Sequence, residues 1–272
     1  APWLDVFVYL AFFPQLVAGP IVRGSEFLPQ LREARDPRAI PAIRAFGLIL
    51  AGLFKKVVIA NALATTLVDQ VFANPEAHGA GETLVAVYAY AVQIYADFSG
   101  YTDIAIGVAL LLGFSFPQNF DAPYTALSLR DFWRRWHMTL SRWLRDYLYI
   151  PLGGSAGGVA ATMGALFATM VLGGLWHGAA WTFVIWGALH GAGLAAERLT
   201  GQGPVSTDGM SGVEVAVRRI VTFHLVCLGW VFFRSESLGD ALTILGRLTA
   251  GGEVALVTPV SYTHLRAHET KA

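Results

Sequence analysis

Long apolar runs, each cut off by a short polar connection, set the plan of this chain. Residues 3–19 read as a first apolar helix ended by Gly19-Pro20, with Pro14 predicting a kink or a broken, re-entrant path. Residues 23–44 read as a polar, arginine-rich connection, which the positive-inside rule places on the cytoplasmic side. Residues 40–72 predict a second helix interrupted by Lys55 and Lys56, which snorkel to an interface, line a polar cavity or mark a helix end. Across 82–116 two apolar runs flank DFSGYTD. Asp97, Ser99, Tyr101 and Asp103 there form either a polar cluster facing the interior or a short interfacial loop, and Gly100 is free to unwind. Phe132, Trp136, Leu140, Trp143, Tyr147 and Ile150 recur with helical period and predict one amphipathic helix over 131–150. Residues 156–175 and 178–197 read as two spans hinged at glycines, 198–218 as a loop, 220–233 as a last span and 237–250 as an interfacial helix.

One stretch departs from the rest. From Gly153 to Ala196 there is no Asp, Glu, Lys or Arg, yet His177 lies inside it. A crossing takes roughly 20 apolar residues, so this stretch predicts membrane spans. A titratable group within a span costs free energy and is by default a functional candidate. The plain alternative is a helix–helix hydrogen bond. His137 stands second, among tryptophans where an interfacial or capping role competes with a functional one. Four arginines at 134, 135, 142 and 145 suit lipid phosphates or the phosphates of an anionic acyl carrier. His190, turned away from His177 on an ideal helix, reads as a packing group.

Composition agrees with this reading and narrows it. The 272 residues are 55% hydrophobic and only 14% charged, against about a quarter charged in soluble domains. The fold class is therefore an all-α integral membrane protein with several spans and interfacial or re-entrant helices. Zero formal net charge excludes a strongly basic nucleic-acid binder. The single cysteine, Cys227, reads as a small buried hydrophobe. No third His, Cys or Glu stands at ligand spacing beside the two histidines, so no metal site is expected. The opening APWLDVFVYL starts as though inside or just before a span, and predicts a fragment without its N-terminal part. Residues 1–259 are taken as the membrane core. The polar end from Val260 to Ala272, VSYTHLRAHETKA, resembles translated sequencing-adapter read-through and is set aside.

The segments FWRRWHMTLSRWLRDYLYIPLGG and LGGLWHGAAWTFVIWGALHG, with FFPQLVAGPIVR, QIYADFSGYTDIAIG and FHLVCLGWVFFRSESLGDALTIL, together resemble the membrane-bound O-acyltransferases. The resemblance is to their bacterial branch, which acylates alginate and other envelope polymers, and it covers nearly all of residues 7–247. It implies a helical core around a central tunnel in the bacterial cytoplasmic membrane. A cytoplasmic thioester, an acyl-CoA or an acyl carrier, would enter on one side and an extracytoplasmic polysaccharide on the other. Bound lipid and periplasmic acetylation partner proteins are also implied, and no bound cofactor. By position, the family's invariant histidine falls on His177 and its second active-site position on His137. The linker SAGGVAATMGA lacks the basic residues usual in the family at that point.

Acyl transfer to an alcohol needs the hydroxyl proton removed as oxygen attacks, and imidazole suits that task near neutral pH. His177 is the expected base. His137 would polarise the thioester, orient the donor or hold the acceptor. Donors to the developing oxyanion are sought in Trp176, Ser141 or backbone. Arg134, Arg135, Trp136, Asp97, Ser99 and Tyr101 complete the expected substrate-binding set. Two other classes compete: a transporter or flippase built on broken helices, and a non-catalytic subunit of an export complex.

Overall fold

The computed structural model describes residues 2–201 and 207–250. It is all helix, with no strand among the described residues. The helices are α1 (Trp3–Ala11), α2 (Gly24–Arg32), α3 (Ala42–Ala73), α4 (Ala80–Leu111), α5 (Leu129–Arg135), α6 (Met138–Leu144), α7 (Gly158–His177), α8 (Trp181–Leu199), α9 (Gly212–Arg234) and α10 (Leu238–Thr249). Four of them, α3, α4, α7 and α9, are long and apolar enough to cross a membrane. The tail set aside from Val260 onward lies outside the described residues.

The first apolar run is broken, as its proline predicts. α1 stops at Ala11, and Phe13–Gln15 form a single tight turn around Pro14. The connection after it is not an open loop. Phe27 makes α2 amphipathic and inserts, fully buried, against Phe114 in a stacked pair with centroids 4.7 Å apart. Arginines elsewhere in that segment then pair with acids. Arg23 meets Asp146 at 2.5 Å and Glu26 meets Arg142 at 2.7 Å, tying α2 to α6 and the turn after it.

The middle of α4 decides between the two readings of DFSGYTD, against the loop. Residues 80–111 are one unbroken helix through DFSGYTD, and Gly100 is helical. Its lack of a side chain serves close packing instead: a Cβ there would stand 2.8 Å from the Gly52 carbonyl oxygen of α3. Gly52 is equally tight against the Gly100 carbonyl. Each α3 lysine meets an α4 aspartate at this contact, Lys55 with Asp103 at 2.6 Å and Lys56 with Asp97. α3 accommodates them by switching to π-helical winding over Phe54–Ala60, a local expansion that often accompanies functional positions.

α7 and α8 form a tight hairpin joined by only three residues, with Gly174 against the Phe183 carbonyl and Gly187 against the Met170 carbonyl. Beneath them lies an aromatic core of Phe132, Trp133, Trp136, Trp186 and Trp230, in which Cys227 is also buried.

Candidate active site

The segment expected as one amphipathic helix is two short ones. α5 ends at Arg135, and His137 takes left-handed backbone angles (φ 42°, ψ 55°) before α6 begins. Left-handed backbone is costly for a residue with a Cβ, so the surroundings must impose it. They do so through Asn119. Its Oδ1 accepts from Thr139 N at 3.1 Å and Thr139 Oγ1 at 2.9 Å, and its backbone oxygen accepts from Met138 N. The break also rotates the stripe: Phe132, Trp136 and Leu140 are buried, while Trp143, Tyr147 and Ile150 are exposed.

His137 is 5% exposed, with Nδ1 3.2 Å from the same Asn119 Oδ1. Because Thr139 N can only donate, Oδ1 is fixed as the acceptor, and His137 Nδ1 must carry the proton. Nε2 keeps its lone pair. Phe98 of α4 packs edge-on against the ring at 4.6 Å. Burial, with a smaller push from nearby His177, lowers the His137 pKa to about 3. The ring is neutral at physiological pH.

His177 is the last residue of α7. Four aromatic rings surround it: Trp176 at 5.0 Å, Phe233 at 5.1 Å, Trp186 at 5.4 Å and Phe183 at 6.3 Å between centroids. The side chain is half-buried, and no described residue hydrogen-bonds its ring nitrogens. His190 sits deeper, accepting from Trp133 Nε1 at 3.3 Å on Nδ1. Its Nε2 and the neighbouring Trp186 Nε1 are buried without a partner.

The remaining expected site residues fall in five different settings. Trp176 is 63% exposed beside His177, and Trp136 belongs to the aromatic core. Arg135 is held by Asp131 at 2.8 Å and faces Asp121. Asp97 is held by Lys56, Ser99 is buried with its hydroxyl unpartnered, and Tyr101 is half-buried on the same helix. Arg134 and Ser141 line a cleft of about 310 Å³ between α5, α6, α7 and α8.

That cleft is two-natured. Arg130, Arg134, Arg145 and Arg198 rim it, while Leu144, Leu166, Met170 and Leu194 make its floor. Its one carboxylate, Glu197, is spent on the start of α5, accepting from Leu129 N at 2.7 Å and Arg130 N at 3.0 Å. The rim is therefore cationic. Neither His137 nor His177 lines the cleft. Sequence reasoning anticipated Arg134 and Arg145 but not Arg130, Arg198 or Asn119. Arg130 comes from the start of α5 and Arg198 from the α7–α8 hairpin, while Asn119 comes from the loop before α5, 18 residues ahead of His137. Among the described residues no three His, Cys, Asp or Glu groups gather as metal ligands would.

Comparison with known proteins fits this geometry. The chain is 44% identical over 255 residues to a probable alginate O-acetylase of Pseudomonas syringae pv. tomato, covering 92% of this chain and 47% of that protein. It is 40% identical over 256 residues to a peptidoglycan O-acetyltransferase of Helicobacter pylori, covering 93% and 48%. To a teichoic acid D-alanyltransferase of Bacillus subtilis it is 28% identical over 241 residues, covering 84% and 60%. The chain thus spans about half the length of the first two relatives. The family model for membrane-bound O-acyltransferases matches residues 2–203. By that match and by its all-helical, multi-span fold, the chain belongs to the membrane-bound O-acyltransferase family.

Proposed function

We propose that this chain carries the transfer centre of an enzyme that moves a short acyl group from a cytoplasmic thioester to a hydroxyl of an extracytoplasmic polysaccharide, in the bacterial cytoplasmic membrane. The observation that carries the reading is His177 itself, an imidazole at the end of a charge-free span, walled by aromatic rings, with no hydrogen bond to its ring nitrogens among the described residues. The names of the relatives, two O-acetylating and one D-alanylating, support the reaction class.

In this reading His177 takes the proton of the acceptor hydroxyl as its oxygen bonds to the thioester carbonyl carbon. The tetrahedral intermediate collapses by breaking the carbon–sulfur bond, and the leaving thiolate takes the proton from the imidazolium. The products are an ester and a free thiol. A base so placed contributes about 10²–10⁴-fold. His137, with a lone pair on Nε2 and a pKa low enough to stay neutral, serves as an acceptor that orients the hydroxyl. The cationic cleft receives the donor, its arginines matching phosphate groups and its apolar floor matching a slender arm.

Acyl transfer from acetyl-CoA, measured in membranes, tests this. His177→Ala is expected to lose at least 100-fold in turnover, with the protein still folded. Full turnover in that variant would remove the catalytic role. Arg134→Ala is expected to raise KM for the donor several-fold and to flatten its salt dependence.

A further inference from the structure

We propose that Leu144 is the threshold between the cleft and His177, the side chain that a donor's arm must pass before its thioester reaches the imidazole. The inference rests on the reading that the cleft receives the donor.

It comes from one face of α7. Thr162, Leu166, Thr169 and Met170 line the cleft from that helix. Continued along the same stripe at helical spacing, the next positions are Gly173 and then His177. The floor of the cleft therefore points at the histidine. Between the last lining position, Met170, and His177, the side chain that meets this stripe at Gly173 is Leu144. Leu144 is a lining residue, is only 6% exposed, and its methyl carbons stand 3.4 and 3.9 Å from where a Cβ on Gly173 would be. Gly173 precedes His177 by one turn, a rise of about 6 Å. Leu144 thus sits over the α7 position one turn before the reacting group.

Two features make Leu144 suited to yield. Its methyl groups face Gly173, so at that position α7 offers no side chain against it. It is also the last residue of α6, immediately before a π-helical turn over Arg145–Tyr149. Arg145, paired with Asp146 at 2.7 Å, and Tyr149 of that turn line the same cleft, so the element that carries the threshold also forms part of the rim.

The test uses the full chain in membranes with two probes: acetyl-CoA, which has a long arm, and p-nitrophenyl acetate, which has none. Leu144→Trp should lower the ratio of acetyl-CoA to p-nitrophenyl acetate turnover at least tenfold, and Leu144→Ala should raise it or leave it. An unchanged ratio in Leu144→Trp, whether both rates fall together or neither falls, would overturn the proposal. Independently of turnover, a Gly173→Cys, Cys227→Ser protein should react several-fold faster with a bulky cleft-side maleimide once Leu144→Ala is added. An equal rate would also overturn it. Absence of His177-dependent turnover with either probe would instead sink the underlying reading, leaving the maleimide result to judge whether the passage exists.

Discussion

Asn119 Oδ1 lies 3.2 Å from His137 Nδ1 and also accepts two hydrogen bonds from Thr139. One amide oxygen thereby sets the imidazole's tautomer, the break between α5 and α6, and the left-handed backbone of His137. Thr139 Oγ1 in turn accepts from Ile21 N at 2.9 Å, so the same knot anchors the segment entering α2.

Removing that oxygen has a defined cost. Asn119→Ala leaves three donors short of their partner, two of them from buried Thr139. At about 1–3 kcal/mol for an unsatisfied buried group, we expect a loss of at least that size in thermal unfolding in detergent. Asn119→Asp, which keeps the acceptor, should lose less than Asn119→Ala.

The pH dependence follows from the neutral His137 ring. Its folded pKa is lowered, to about 3, against about 6.5 in an unfolded chain. Between these values the unfolded chain binds the extra proton, so stability rises with pH there. The contribution is fully present above about pH 6.5 and is lost as pH falls towards about 3. His137→Asn, whose side chain tolerates left-handed backbone, should therefore have a flatter melting temperature between pH 6.5 and 4 than the parent. An equally steep slope would rule out His137 as a source of acid sensitivity.

Helix contact in the α7–α8 hairpin predicts a sharp contrast between glycines. A Cβ at Gly174 would lie 2.2 Å from the Phe183 carbonyl oxygen, whereas at Gly47 of α3 nothing lies within 4 Å. Gly174→Ala must push two backbones apart, and overpacking of that kind costs about 1–3 kcal/mol or more. Gly47→Ala should be neutral or gain up to about 1 kcal/mol from helix propensity. Melting temperatures of the two variants would show the difference directly.

The Lys55–Asp103 pair is 28% and 22% exposed and lies between two candidate spans. Lys55→Met leaves Asp103 without its counter-charge. After allowance for partial exposure, a loss of about 1–3 kcal/mol is expected. The double variant Lys55→Met, Asp103→Leu should recover a good part of it, because no lone charge then remains. A double-mutant cycle that showed simple additivity would mean the two charges do not support each other.

The apolar runs and their breaks were enough to give the all-helical membrane fold, the kink at Pro14 and the α7–α8 hairpin. The reason is that each depends on local quantities: hydrophobic length and the placement of proline and glycine. Where tertiary contact outweighed local pattern, the sequence misled. Its stripe from Phe132 to Ile150 implied one helix, but Asn119 and Thr139 hold a break at His137 that no periodicity encodes. DFSGYTD left an interior cluster and an interfacial loop open, and close packing of Gly100 on Gly52 with two ion pairs to α3 decides against the loop, within one continuous α4. The cleft belongs wholly to the tertiary structure. Arg130, Arg134, Arg145 and Arg198 come from three separate elements, and only their convergence over an apolar floor makes a cationic rim. Side-chain type is written residue by residue, whereas a cavity exists only where distant elements fail to fill the space between them.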